Sequence, residues 1–179
     1  MAMPALLEIL EQEHADMRRL LDLIKTEADT AEAPDLGLLH EILEYCLAYP
    51  DQYHHPKEEL IYAALRRHDP EGAGAVDDIV AEHRELATAT RELAAVLKTA
   101  RSGQERAGRD LRVMLRSFVR CYRDHMRKED QEFFPYAFCT LSPEEWSNLA
   151  AEVTDPTDPL MRAEACERLD DLLARGKTG

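Results

Sequence analysis

The chain has 179 residues, of which 45% are hydrophobic and 32% charged, and its 22 basic against 36 acidic residues leave a net charge of −14. That length suits one domain with a real core, and the dominance of Ala, Leu, Glu and Arg over β-branched residues points to helices. So acidic a surface excludes binding to nucleic acid by counterion release, and anionic lipid would repel it.

The elements follow in chain order. Leu7, Leu10, His14, Met17, Leu21 and Ile24 alternate in steps of three and four, which predicts a helix over about 5–28. TEADTAEAPDLG breaks it, and Pro34-Asp35 opens a second helix reaching about Arg67, with Leu36, Leu43, Leu47, His54, Glu58 and Leu65 on one face. HDPEGAGA, 68–75, is the next break. A third helix carries Val76, Ile79, His83, Leu86, Leu93 and Leu97 and exits through RSGQERAG, 101–108. A fourth carries Leu111, Leu115, Phe118, Tyr122, His125 and Glu129 as far as Phe134. Ser142-Pro-Glu-Glu145 is a capping box that starts a short helix. DPTDP, 155–159, is a turn, and a last amphipathic helix over about 159–174 presents Leu160, Ala163, Leu169 and Leu172. The predicted fold is all-α: an up-down-up-down four-helix bundle over 1–138, with additional short C-terminal helices over 139–179 packed on it as part of a single domain.

No segment approaches the roughly 18 apolar residues of a membrane span, and the acidic N-terminus lacks the basic start of a signal peptide. The four cysteines, Cys46, Cys121, Cys139 and Cys166, form no CxxC pair. A cytoplasmic protein with reduced thiols is expected, its cysteines serving as small apolar fillers on helices.

Each of the four long helices places one histidine on its inward face: His14, His54, His83 and His125. Glu58 follows His54 by four residues and Glu129 follows His125 by four, so each pair lies on one face. Counted from the intervening loops, all four histidines fall at one level of an antiparallel bundle. The pattern is duplicated: EHADM, then 40 residues from His14 to His54 and HxxxE; EHREL, then 42 residues from His83 to His125 and HxxxE again. Isolated buried histidine and carboxylate charges are costly, and a cation removes the cost. Four imidazoles and two carboxylates exceed the needs of one tetrahedral zinc. They suit two first-row metal ions, with iron favoured by mixed N/O ligation without thiolate, and manganese or zinc as alternatives. Glu58 and Glu129 are the natural bridges. A lone HxxxE is no more than a surface ion pair, and repetition is what gives it meaning here.

EHADMRRLLDLI, YHHPKEE, EHRE and DHMRKEDQEFFP together resemble the bacterial hemerythrin-like proteins of the HHE cation-binding class, over residues 5 to about 138. The resemblance implies a four-helix bundle with a non-haem di-iron centre of the Fe–O–Fe type. It implies reversible binding of dioxygen or a related diatomic in some members, and sensing or redox roles in others. Carried over, the ligands are His14, His54, Glu58, His83, His125 and Glu129. His55 stands where some relatives place an additional ligand. Pro50 and Pro56 kink or bulge the helix on both sides of it, so that it either approaches the site with His54 or faces outward. Respiratory carriers have HxxxH on the third helix; here Ala87 stands four residues after His83, which leaves room for water and puts simple oxygen carriage in doubt.

The lesser candidates have plainer readings. His40 lies too far along its helix to share the site, and His68 suits a helix C-terminus. Tyr45, Tyr49, Tyr53 and Tyr122 read as core packing, with a hydrogen bond from Tyr122 to a bound ligand as the second option. Glu13 and Glu82 read as surface acids rather than as partners of imidazole N–H groups. No phosphate loop or nucleophile motif occurs. A binding or sensing protein for dioxygen, nitric oxide or iron is therefore preferred. A di-iron redox enzyme (oxidase, peroxide-consuming or iron-centre repair) is the alternative, and a protein partner or a second copy is the route for any signal.

Overall fold

Long-chain helix formers with no internal glycine build the first rod, α1 (Ala5–Asp29), in a computed structural model that describes residues 2–74, 79–101, 107–153 and 159–176. At 107–110 and 159–163 only the backbone is described. The second rod is α2 (Leu36–Tyr49), a π-helical segment Pro50–His54, and α3 (His55–His68). After the short α4 (Pro70–Ala73), the third rod is α5 (Ile79–Arg101). The fourth is α6 (Ala107–Lys128), a second π segment Glu129–Phe133, and α7 (Phe134–Thr140). α1 packs on α2 and α6, and α5 packs on α2, α3 and α6, which closes a four-rod ring. α8 (Pro143–Glu152) lies against α1 and α3, and α9 (Pro159–Arg175) against α1 and α2. The all-α bundle expected from the sequence is the fold observed. Val76, residues 102–106 of the third helix's exit loop, most of the DPTDP turn, and the side chains of Leu160 and Ala163 lie outside the described residues.

The ends of the rods are fastened by hydrogen bonds that helices leave open. Asp35 caps α2, its Oδ1 accepting from the Gly37 and Leu38 amides at 2.8 and 2.9 Å. Arg112 and Arg116 of α6 donate to the Ala28 carbonyl at the end of α1 at 3.2 and 2.9 Å, which ties two antiparallel rods together. The predicted capping box is present at α8: Glu145 N donates to Ser142 Oγ, and Ser142 N returns to Glu145 Oε2 at 2.8 Å.

That box makes a testable pH dependence. The Ser142 amide and hydroxyl, with His68 beside them, pull the Glu145 carboxyl down from 4.5 to about 2. A depressed folded pKa contributes stability that is complete above the unfolded value and is lost as pH falls from 4.5 towards 2. Trp146, the chain's single tryptophan, is buried beside the box. Its fluorescence should shift towards that of an exposed indole across this window, and in Glu145→Gln that step should vanish.

The apolar interior is cut in two. One cluster joins Met17, Leu20, Leu21 and Ile24 to Leu39, Leu43, Leu93, Leu97, Leu115 and the α9 residues Leu169 and Leu172. The other joins Leu6, Leu10, Ile61, Leu65, Phe133, Trp146 and Leu149 at the opposite end. Leu36 and Leu47, expected on the inward face of α2, are only half-buried; Leu38, Leu39, Ile42 and Cys46 take that place. The cysteine expectation is also corrected: Cys46 fills the core, but Cys121, Cys139 and Cys166 are exposed. Between the two apolar clusters every rod turns a polar side chain inward.

Candidate metal centre

The buried polar layer comprises His14, His54, His55, Glu58, His83, His125 and Glu129, none more than 8% exposed. The two π segments bring it together. Cys46, Pro50, His54 and Glu58 are all buried, and so are His125, Glu129, Phe133 and Ala137. Three successive steps of four residues drift off one face of a helix with 3.6 residues per turn; the wider π turn absorbs the drift and keeps all four inward. The bulge expected between Pro50 and Pro56 is thus a π turn, and it buries both His54 and His55. The second bulge, at Glu129–Phe133, contains no proline and was not foreseen.

Each carboxylate spans the layer. Glu58 Oε1 lies 3.1 Å from His54 Nε2 and 3.7 Å from His14 Nε2, while its Oε2 lies 3.2 Å from His83 Nε2. Glu129 mirrors it: Oε2 is 3.3 Å from His14 Nε2, and Oε1 is 3.0 Å from His125 Nε2 and 3.4 Å from His83 Nε2. The donors sort into two groups, His14–His54–Glu58–Glu129 and His55–His83–His125, whose ligand atoms lie within 4.8 Å of one another. Each glutamate therefore turns one oxygen to each group.

The outer nitrogens are held by acids. His14 Nδ1 donates to Asp130 at 2.8 Å, His54 Nδ1 to Glu13 at 2.8 Å, His125 Nδ1 to Glu82 at 2.8 Å and His55 Nδ1 to Asp51 at 3.1 Å. This corrects the reading of Glu13 and Glu82 as surface acids, and Asp130 and Asp51 are added to them. Lys57 and Lys128 each hold one of these acids from outside, Lys57 on Glu13 and Lys128 on Glu82, both at 2.6 Å. The signal in the sequence was the duplication itself: Glu13-His14 recurs as Glu82-His83, and Lys57-Glu58-Glu59 as Lys128-Glu129-Asp130.

With its Nδ1 proton on a carboxylate, an imidazole presents the Nε2 lone pair inward. The His14 and His54 Nε2 atoms face each other at 3.0 Å, and both Glu58 oxygens and Glu129 Oε2 are buried without a hydrogen bond. Acceptors facing acceptors in a dry interior demand positive charge. Protons supply it in the free protein. Burial opposes charge on His54 and His83, but the adjacent carboxylates outweigh it and push them up to about 10 and about 9. Burial likewise opposes charge on Glu58 and Glu129, yet the surrounding imidazoles hold both carboxyls below the ordinary range. His55 behaves differently: burial and the His83 charge drive it down to about 3, so it is neutral and free to ligate. Its ring stacks on His83 with centroids 3.7 Å apart. The donor set fits metal cations: they satisfy every orphaned acceptor, which protons do only in part.

A largely apolar cavity sits against the layer, lined by Met17, Tyr49, Pro50, Tyr122 and Met126 together with His14, His54, His55 and His125. The volume open to the centre of a water-sized sphere is about 10 Å³, near the roughly 10–15 Å³ that one water requires. Tyr122 lines it, and Tyr45, Tyr49 and Tyr53 stack in series at 5.1 Å intervals, the Tyr49 hydroxyl donating to Glu13 at 3.0 Å. His68 meets Glu145 at 3.0 Å, away from the layer.

Against known proteins, the family model described as the hemerythrin HHE cation binding domain matches residues 5–137. No curated protein matches the chain. Among the described residues no helix is long and apolar enough to cross a membrane.

Proposed function

Because the chain belongs to the hemerythrin HHE cation-binding family, we propose that its polar layer holds two iron ions and that the protein binds or senses a small diatomic molecule, dioxygen or nitric oxide. The ligands in this reading are His14 and His54 on one side, His55, His83 and His125 on the other, with Glu58 and Glu129 shared. The observation that carries it is the spanning of both glutamates, one oxygen towards each imidazole group. Imidazole and carboxylate donors without thiolate suit iron, with manganese or zinc as the competing loads.

Bound iron would supply open coordination positions and reversible one-electron chemistry. The chain supplies the rest. Glu13, Glu82, Asp51 and Asp130 fix the ring orientations through the Nδ1 protons. Met17, Tyr122 and Met126 shape an apolar recess with room for one small molecule and none for a larger substrate. That limit is what favours binding or sensing over turnover of an organic substrate.

The test is direct. The purified protein should contain two irons per chain and show a charge-transfer band that changes reversibly between oxygenated and anaerobic buffer. Two tightly held zincs and no oxygen-dependent band would defeat the reading. The outer acids make a second test. Glu13→Gln weakens the acceptor that orients His54, and partners of this kind change metal affinity by roughly 10–100-fold. A competition titration against a chelator of known affinity should show that loss, while Glu27→Gln, remote on the same helix, should show none.

A further inference from the structure

Around the centre the two halves of the duplication repeat Glu13-His14 as Glu82-His83, His54 as His125 and Lys57-Glu58 as Lys128-Glu129, but His55 becomes Met126, and the outer nitrogens of His14 and His83 are held differently. His14 is held by Asp130, and Asp130 is in turn held by the guanidinium of Arg18, one turn after His14 on α1. In the other half these become His83, Glu59 and Ala87. Alanine has nothing to hold Glu59 with. Glu59 Oε1 stands 3.8 Å from His83 Nδ1, beyond hydrogen-bond distance, and its side chain is 47% exposed against 26% for Asp130. His83 Nδ1 is consequently a buried nitrogen with no partner, on a residue only 4% exposed.

A surface cleft opens at that spot. Between the Pro50–His54 turn with α3 on one side and α5 on the other, it measures about 540 Å³; Asp51, His55 and Glu59 line one wall, and His83 and Ala87, with Arg84 and Arg91 beside them, line the other. Asp51, 50% exposed, accepts from His55 Nδ1. Two exposed carboxylates thus stand at the mouth, each directly outside an imidazole of the same donor group, and the unpartnered His83 nitrogen lies at the cleft's inner wall.

We infer that this cleft is the port through which hydrated divalent first-row cations enter and leave the His55–His83–His125 position, with Glu59 and Asp51 as the first ligands they meet. The inference rests on the two-ion reading above. A carboxylate that nothing pins can take a partly hydrated cation and pass it inward at no loss of structure. Among the described residues the opposite position has no such cleft: Arg18 locks Asp130 across its outer face, and the recess beside His14 and His54 is far smaller. The two ions therefore exchange at different rates, and the difference comes from access rather than from donor number: the port side has three imidazoles and the closed side two.

The test follows anaerobic transfer of ferrous iron from the loaded full-length chain to a coloured chelator, and the reverse uptake. The wild-type chain should release its two ions in two phases of equal amplitude. Ala87→Arg, which restores the lock found in the other half, should slow the fast phase by about ten-fold or more. Arg18→Ala should accelerate the slow phase until the two merge. Glu59→Gln, a surface change with little bearing on folding, should slow uptake several-fold at unchanged final stoichiometry. Release in a single phase from the wild type, or a Glu59→Gln chain that fills as fast as the wild type, overturns the port while leaving the metal centre intact. A wild-type chain that retains no cation at all overturns the metal centre, and the port with it. Melting curves of the metal-free variants show whether any rate change comes from misfolding.

Discussion

Glu58→Met should remove metal binding almost entirely and cost the free protein less than the lost metal costs the loaded one. Glu58 is 0% exposed, both its oxygens lack a hydrogen bond, and it faces both imidazole groups. In the two-ion reading, losing it would take one oxygen from each ion at once. The penalty should exceed the roughly 10–100-fold that outer partners cost, and iron retained after desalting should fall from two per chain to less than one. Stability falls as well, but less. The substitution ends the desolvation of a buried carboxylate, yet it leaves His54 and His83 without the charge that balances their protons, and removing one partner of a buried pair costs about 3–5 kcal/mol unless the imidazoles shed those protons. The melting temperature of the metal-free variant should lie roughly 5–20 °C below that of metal-free wild type. A variant that keeps both ions shows that Glu58 is no bridge. One that loses its ions because it no longer melts cooperatively gives Glu58 a structural role instead.

That the metal-free variant should still fold follows from where the polar layer sits. The apolar clusters above and below it hold the rods together through Leu20, Leu43 and Leu97 at one end and Leu10, Ile61 and Phe133 at the other. These clusters are what the 3.6-residue spacing of the sequence encodes, so the rods and the inward histidines could be read from it.

What the spacing did not show lies between helices. Glu13 is one residue from His14, about 100° around α1, which takes it off the stripe that faces the core. A single-helix reading makes it a surface acid. In the bundle, the edge of that stripe is where His54 of the neighbouring rod arrives, and Glu13 is buried by its partner rather than by its own helix. Glu82 and His125 repeat the relation on the other side. Asp130 is displaced inward by the Glu129–Phe133 π turn, and no proline marks that turn. The exposed cysteines fail for the reverse reason: a small sulfur side chain fits an interior, but nothing in its helix position at 121, 139 or 166 required one.

Metal removal should have the larger effect on stability. In the loaded protein, cations would satisfy Glu58 Oε1 and Oε2 and Glu129 Oε2, all buried without a hydrogen bond, and would separate the facing His14 and His54 nitrogens. In the free protein, protons do this less completely, on imidazoles whose burial resists charge. Ligand held only by the folded chain adds about 4 kcal/mol per site at a thousand times its dissociation constant. For a chain of this size roughly 2–4 °C accompany each kcal/mol, so two sites are worth about 15–30 °C. Chelation should lower the melting temperature by that amount, and readdition of ferrous iron should restore it. Glu58→Met should melt below the lower value, and iron should not raise it. Because loading replaces imidazole protons by cations, it should also acidify a weakly buffered solution. A melting temperature indifferent to chelation, with no proton released on reloading, would mean that the layer carries its own compensation and that the cations are incidental to the fold.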